Sequence, residues 1–219
     1  MSSSIRVLIV DDDVPTRVGL QTILSAEDDV VVVGEASTGV EACDLARDLR
    51  PDVVLMDVQL PDLDGIEATR RITATGDDNA GPRVLVLTTY DIDEYAYASM
   101  RAGASGFLLK RTRAEEIVDA VRIVATGDEL PSRDATERLI AEVAPRYGAR
   151  PLEAFESLTD RESEVLSFAA RGLSNLEIAE ALGVSIQTIK THLKHVYMKL
   201  DVRDRVQAVI AAYEAGLVA

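Results

Sequence analysis

Between residues 6 and 126, short runs rich in Val, Leu and Ile alternate five times with segments of helical period. The runs are RVLIV (6–10), VVVVGEA (30–36), DVVLM (52–56), RVLVLT (83–88) and GFLL (106–109). Helical patterns lie between and after them, at about 15–26, 38–49, 65–75, 93–102 and 113–126. Parallel strands need a connection long enough to cross back over the sheet, usually a helix, so this alternation predicts parallel βαβ units with helices on both faces. Runs that are almost wholly apolar, rather than alternating, predict strands covered on both sides. Ligands of such sheets bind beyond the carboxyl ends of the strands, where strand order reverses.

After residue 127 the grammar changes. Residues 128–155 carry Pro131, Pro145, Gly148 and Pro151 and read as a linker, partly helical over RDATERLIAEVA (133–144). Residues 156–219 read as four helices without a strand. The expected division is 1–127, a linker 128–155, and 156–219, one α/β domain and one smaller all-α domain.

Charge separates the same regions. The formal net charge is -15, and residues 1–127 hold 12 basic against 23 acidic side chains, whereas residues 156–219 hold 7 against 9. So acidic a chain is a poor general binder of nucleic acid, and any DNA contact must come from a local basic face. Apolar runs such as VLIV (7–10) and VVVV (30–33) are too short to cross a bilayer, so no membrane partner is expected. The opening MSSSIRVLIV has neither a charged lead into an apolar signal core nor a cleavage pattern, so a cytoplasmic location is expected. The single Cys43 excludes an internal disulfide framework and reads as a small helix residue beside a core.

The strands end in polar groups. Asp11, Asp12 and Asp13 follow the first, Asp57 the third, Thr88 and Thr89 the fourth, and Lys110 the fifth. A parallel sheet gathers these groups at one edge. Carboxylates brought together repel and do not all ionise readily unaided. A hard divalent cation relieves that repulsion, and Mg²⁺ is commonly held by one or two carboxylates, waters and a phosphate oxygen. A lysine and a threonine hydroxyl alongside can hold further phosphoryl oxygens. A carboxylate can itself accept a phosphoryl group, a reaction that needs mainly positioning and charge neutralisation. Taken singly, a strand-end Asp is more often a turn residue and a strand-end Lys a solvated one.

The acidic residues after the first run, LMDVQLPDLDG (55–65), LTTY (87–90) and GASGFLLK (103–110) together resemble the receiver domain of two-component response regulators. The resemblance implies a flavodoxin-like (βα)5 sheet of order 2-1-3-4-5. It implies that Asp57 accepts a phosphoryl group from a cognate sensor histidine kinase. Mg²⁺, or Mn²⁺, would be held by Asp11, Asp12, Asp57 and the backbone carbonyl of Gln59, with Asp12 the more direct ligand of the first two. Thr88, Phe107 and Lys110 would form the switch. Asp13 stands where many relatives carry His and is expected to tune the site without accepting the group. Gln59 and Thr89 are expected to help set the lifetime of the phosphoryl group. A dehalogenase-type phosphatase also uses a strand-end Asp, but needs an acid two residues on, where this chain has Gln59. No GxxxxGK[ST] is present. The chain is therefore expected not to be an enzyme beyond its own phosphorylation and dephosphorylation.

In the helical region, Thr159 with Glu162 and Ser174 with Glu177 have the spacing of capping boxes, and Ser185 opens a third helix. Gly183 is a plausible stop, and LGVS (182–185) is a tight turn between two helices. In the third helix, Ile189, Leu193, Val196 and Leu200 share a stripe to be buried. Lys190 and Lys194 share another face, flanked by Thr191 and His195. Residues 185–205 hold five cations, Lys190, Lys194, Lys199, Arg203 and Arg205, against Asp201 and Asp204. This is the local basic face that the acidic total hides, although a Lys-rich helix face taken alone is more often simply solvated. His192 and His195 as a metal pair lack further ligands nearby in sequence.

Residues 158–218 as a unit resemble the LuxR-type helix-turn-helix, and the two resemblances together imply the NarL/FixJ family of response regulators. By that resemblance, Lys190, Thr191 and Lys194 face base edges of a double-stranded DNA operator, and Thr188 and His195 touch phosphates. Arg161 and Arg205 are read as structural, pairing with acids inside the domain. The last helix, about 203–215, carries Val206, Val209, Ile210 and Tyr213 on one side; the resemblance implies that it is the dimer contact on DNA, and packing within the domain is the other reading, compatible with the first. The expected function is transcription control by a homodimer formed on phosphorylation or on DNA. The alternatives are a phosphorylation-independent transcription factor with a vestigial receiver, and a phosphate sink or partner-binding module.

Overall fold

The computed structural model describes residues 4–74, 81–88, 93–127 and 155–217. The linker features at 131–151, including the helix expected at 133–144, lie outside the described residues, as does Thr89. The chain divides into two compact units, Met1–Thr126 and Gly127–Ala219.

The first unit alternates β1 (Ile5–Val10), α1 (Val14–Leu24), β2 (Val30–Ala36), α2 (Gly39–Leu49), β3 (Val53–Asp57), α3 (Gly65–Ala74), β4 (Arg83–Thr88), α4 (Asp93–Arg101), β5 (Gly106–Leu109) and α5 (Ala114–Thr126). The strands form one parallel sheet of order β2-β1-β3-β4-β5. The two-residue period of a strand sorts its side chains. Val7, Ile9, Val53, Leu55, Leu85 and Leu87 share one core with Leu20 and Leu24 of α1 and with the apolar face of α5. Leu8, Val10, Val54, Met56, Val84 and Val86 share the other with Ala42 and Ala46 of α2 and with Ala68 and Ile72 of α3. Cys43 is half-buried beside this second core, and burial pushes its thiol pKa up, as befits a packing residue.

One boundary and one burial pattern differ from expectation. α1 ends at Leu24 rather than near 26, because the Ala26 and Glu27 amides turn back to the Ile23 and Leu24 carbonyls and tighten the last turn. The expectation of strands covered on both faces fails at β2, where Val31 is 42% exposed. β2 lies at the sheet edge and pairs only with β1, so its apolar run is only half covered.

The second unit holds α6 (Asp160–Ala170), α7 (Asn175–Leu182), α8 (Ile186–Leu200) and α9 (Arg205–Glu214). Both capping boxes form, with Thr159 and Glu162 on α6 and Ser174 and Glu177 on α7. Gly183 stops α7 in the left-handed region, and Ser185 caps α8. Val165, Ala169, Ile178, Ala179, Ile189 and Leu193 form the core, and Val196 and Leu200 complete the buried stripe of α8.

Candidate functional site

The carboxyl edge of the sheet gathers the strand-end groups. Asp11 follows β1, and its N–H donates to the Ala36 carbonyl at 3.1 Å, extending the β1–β2 ladder into the acidic run. Asp57 is the last residue of β3 and is 5% exposed; Asp11 is fully buried. Lys110 donates its backbone N–H to the Thr88 carbonyl at 2.8 Å, one step past the β4–β5 ladder. Its ammonium lies 2.7 Å from Asp57 Oδ2 and 2.6 Å from Asp11 Oδ2. Both contacts are ion pairs, and the one to Asp57 is also a hydrogen bond. Asp12, exposed at the rim, brings its carboxylate to within 4.8 Å of those of Asp11 and Asp57. Thr88 is buried beside them, 4% exposed.

The electrostatics follow from this crowding. Burial raises the pKa of Asp57, although Lys110 and the Gln59 N–H favour its ionised form, and Asp11 pushes it further up. Burial works against the Lys110 charge, but Asp11 and Asp57 outweigh it and raise its pKa. Two buried carboxylates thus share one ammonium. The all-oxygen donor set, three carboxylates with ligand atoms within 4.8 Å of one another, fits a hard divalent cation.

The flanking residues have defined places. Gln59 is exposed two residues beyond Asp57. Gly65 must be glycine, because a Cβ there would lie 1.9 Å from the Asp57 carbonyl oxygen. Phe107 is half-buried against the core that contains Val84, Val86 and Ala104. Asp13 caps α1, its Oδ2 accepting from the Thr16 N–H at 2.9 Å and hydroxyl at 2.7 Å, and these bonds hold its carboxyl below the ordinary range. One residue escaped the sequence reading. Arg17 on α1 donates to the Asp11 carbonyl at 2.7 Å and the Asp12 carbonyl at 3.2 Å. Its only sequence signal is a cation one helical turn beyond the acidic run.

In the second unit, Lys190, Thr191, Lys194 and His195 are exposed on α8 and Thr188 is half-buried. Gln187, Thr188, Thr191, His192 and His195 line an open depression of about 270 Å³. The Thr191 hydroxyl donates to the Gln187 carbonyl at 2.9 Å, which leaves it able to accept from a ligand. The basic face is smaller than its sequence count. Arg205 is 2% exposed and donates to Asn175 Oδ1 at 3.1 Å, to the Ala169 carbonyl at 3.2 Å and to the Leu173 carbonyl. The acid pairing expected of Arg161 is present, with Glu164 at 2.7 Å. Val206 and Val209 are 1% and 0% exposed and pack within the domain, the other reading of the last helix, and Tyr213 is half-buried.

Lys199 is committed to Glu162 at 2.6 Å, and His195 Nδ1 lies 3.7 Å from the other Glu162 oxygen. Burial opposes the Glu162 charge, but Lys199 and the Thr159 N–H and hydroxyl outweigh it and bring its pKa down to about 2 from an ordinary 4.5. A lowered carboxylate pKa stabilises the fold fully above pH 4.5, and that contribution is lost as pH falls towards 2. Thermal melts of the helical unit's transition are therefore expected to fall through this window, and to fall less steeply in Glu162→Gln. An equally steep fall in the variant would locate the acid sensitivity elsewhere.

Comparison with known proteins matches residues 7–122 to the response regulator receiver domain and residues 156–212 to the luxR family of bacterial regulatory proteins. The transcriptional regulatory protein LiaR of Bacillus subtilis is 41% identical over 98% of this chain and 99% of its own. The response regulator protein VraR of Staphylococcus aureus is 39% identical over the same shares. Among solved structures, the response regulator ChrA of a heme-sensing two-component system covers 99% of this chain and 100% of its own at 38% identity, with a TM-score of 0.53. The RcsB response regulator of Salmonella typhimurium covers all of both chains at 26% identity, with a TM-score of 0.56.

Proposed function

The chain belongs to the response regulators that join a receiver domain to a LuxR-type DNA-binding domain, and from that premise we propose that phosphorylation of Asp57 by a sensor histidine kinase governs its hold on DNA. The observation that carries this reading is the buried Asp57 carboxylate, hydrogen-bonded to Lys110 beside a second buried carboxylate, Asp11. Asp57 is the acceptor. Asp11, Asp12, Asp57 and the Gln59 carbonyl would hold Mg²⁺ or Mn²⁺, which would supply charge neutralisation for the phosphoryl oxygens. Lys110, now neutralising Asp57, is placed to follow the negative charge onto the phosphoryl group. Thr88 bonds that group through its hydroxyl, and Phe107 fills the space that the Thr88 shift vacates. A local change of charge thereby biases a two-state surface around β4 and β5. Gln59 and Thr89 tune the lifetime of the phosphoryl group. The protein acts as a regulator, with no catalysis beyond its own phosphorylation and dephosphorylation.

Residues 1–127 form the receiver, 128–155 the linker and 156–219 the DNA-binding domain. Among the described residues no helix is long and apolar enough to cross a membrane. A cytoplasmic regulator that pairs on DNA accords with that observation. The output is a homodimer on a double-stranded operator. Lys190, Thr191 and Lys194 of α8 meet base edges there, Thr188 and His195 meet phosphates, and α9 contributes through the accessible part of Tyr213.

Sedimentation in Mg²⁺, before and after a small-molecule phosphoryl donor, tests the switch. Wild type is expected to shift from monomer to dimer and Asp57→Ala to stay unshifted. Modification of Asp57 by mass spectrometry without a mass shift would move the switch from dimerisation to release of the DNA-binding domain. An unmodified Asp57 would favour the phosphorylation-independent reading.

A further inference from the structure

We propose that Arg17 is a positioning residue for the divalent-cation site, holding the backbone that presents Asp11 and Asp12. The proposal rests on the cation site described above and goes one layer outward from it. Arg17 lies in the first turn of α1, its own N–H bonded to the Asp13 carbonyl at 3.1 Å. One guanidinium nitrogen bridges two consecutive carbonyls, those of Asp11 at 2.7 Å and Asp12 at 3.2 Å. Nε donates to Glu35 Oε2 on β2 at 3.3 Å. The Arg17 side chain is only 15% exposed, so its charge is largely withdrawn from water and directed at these three partners.

That arrangement fastens the acidic run at three points. Asp11 is tied to β2 through its N–H and the Ala36 carbonyl. Asp13 is tied back to Asp11 by its N–H on Asp11 Oδ1 at 3.0 Å, and to α1 as the cap. Arg17 supplies the remaining tie, on the carbonyl side, where the peptides of Asp11 and Asp12 would otherwise be free to turn. Turning either peptide swings its carboxylate away from Asp57. Partners that orient the groups around a metal typically matter by about 10–100-fold in affinity.

Charge and position predict opposite signs. Arg17 is a cation beside a cation site, so on electrostatics alone its removal tightens metal binding. As a positioning residue its removal weakens binding. A lysine keeps the charge but is a point donor on a flexible stem and does not reproduce the fork to two carbonyls and Glu35.

The test is a Mn²⁺ titration of the full chain followed by the electron paramagnetic resonance signal of free Mn²⁺, without a phosphoryl donor, with thermal melting alongside. Wild type is expected to bind one Mn²⁺ saturably, R17M to bind about tenfold more weakly, and R17K to stay closer to R17M than to wild type. Unchanged or tighter binding by R17M overturns the positioning role. Failure of wild type to bind overturns the cation site itself and so separates the two readings. If R17M does not fold, E35A decides: it removes the outer anchor of Arg17 at a half-exposed position, and unchanged Mn²⁺ affinity there overturns the proposal.

Discussion

Arg205→Ala is expected to unfold the DNA-binding domain and leave the receiver folded. Arg205 is 2% exposed, and its guanidinium joins α9 to the Asn175 side chain at the start of α7 and to the Ala169 and Leu173 carbonyls around the α6–α7 turn. Truncation leaves three acceptors without this donor and opens a cavity where one of the largest fully buried side chains had been. Leaving a buried acceptor without its donor typically costs about 1–3 kcal/mol, and the cavity adds to that cost. The 63 residues from 155 to 217 would ordinarily carry roughly 3–9 kcal/mol of stability, so the loss is comparable to the whole. Denaturation of wild type followed by circular dichroism should resolve two transitions; the variant should lose the helical one and keep that of the α/β unit. Arg205→Lys is expected to recover little, because an ammonium cannot span Asn175 and two carbonyls at once. A variant that melts like wild type would show that Arg205 is incidental to the fold.

Arg205 also marks where sequence reading reached its limit. It counts among the cations of 185–205 but reads as structural, and its burial agrees with that; its partners, the Asn175 side chain and the Ala169 and Leu173 carbonyls, have no signature in the sequence. Lys199 likewise counts as a cation in the sequence and is spent on Glu162 in the fold. Features carried by local rules were legible. The five strands, both capping boxes, the Gly183 stop and the buried stripe of α8 depend on neighbours within a few residues, and the structure has them. The convergence of Asp11, Asp57 and Lys110 was legible for a different reason: parallel strands of one sheet bring their carboxyl ends to one edge whatever their loops do. Tertiary contacts without a periodic signature were not legible. Arg17 reaches backbone carbonyls, which have no letter in the sequence. The burial of Val206 and Val209 depends on α9 packing against α6 and α8, and the exposure of Val31 on β2 being an edge.

The same reallocation of charge sharpens what α8 is expected to do on DNA. Whereas Arg205 is buried and Lys199 is held by Glu162, Lys190 and Lys194 are both exposed on α8. The chain as a whole carries -15, so long-range attraction cannot supply affinity, and these side chains must carry it at short range. On a duplex selected by wild type from a random pool, Lys190→Ala with Lys194→Ala is expected to weaken binding by about 1–3 kcal/mol for each lysine removed, hence on the order of 100-fold together. The salt dependence separates two roles. Removing a phosphate-bound cation flattens the plot of log affinity against log salt by about 0.9 in slope, whereas removing a base-reading side chain leaves the slope and relaxes sequence preference. Lys199→Ala provides the contrast. Its ammonium is already neutralised by Glu162, so it should leave the slope nearly unchanged while lowering thermal stability, because Glu162 loses the partner that keeps it ionised. A slope that falls as much for Lys199→Ala as for Lys194→Ala would mean that the Glu162 pair opens on DNA, and that the basic face is built only when the duplex arrives.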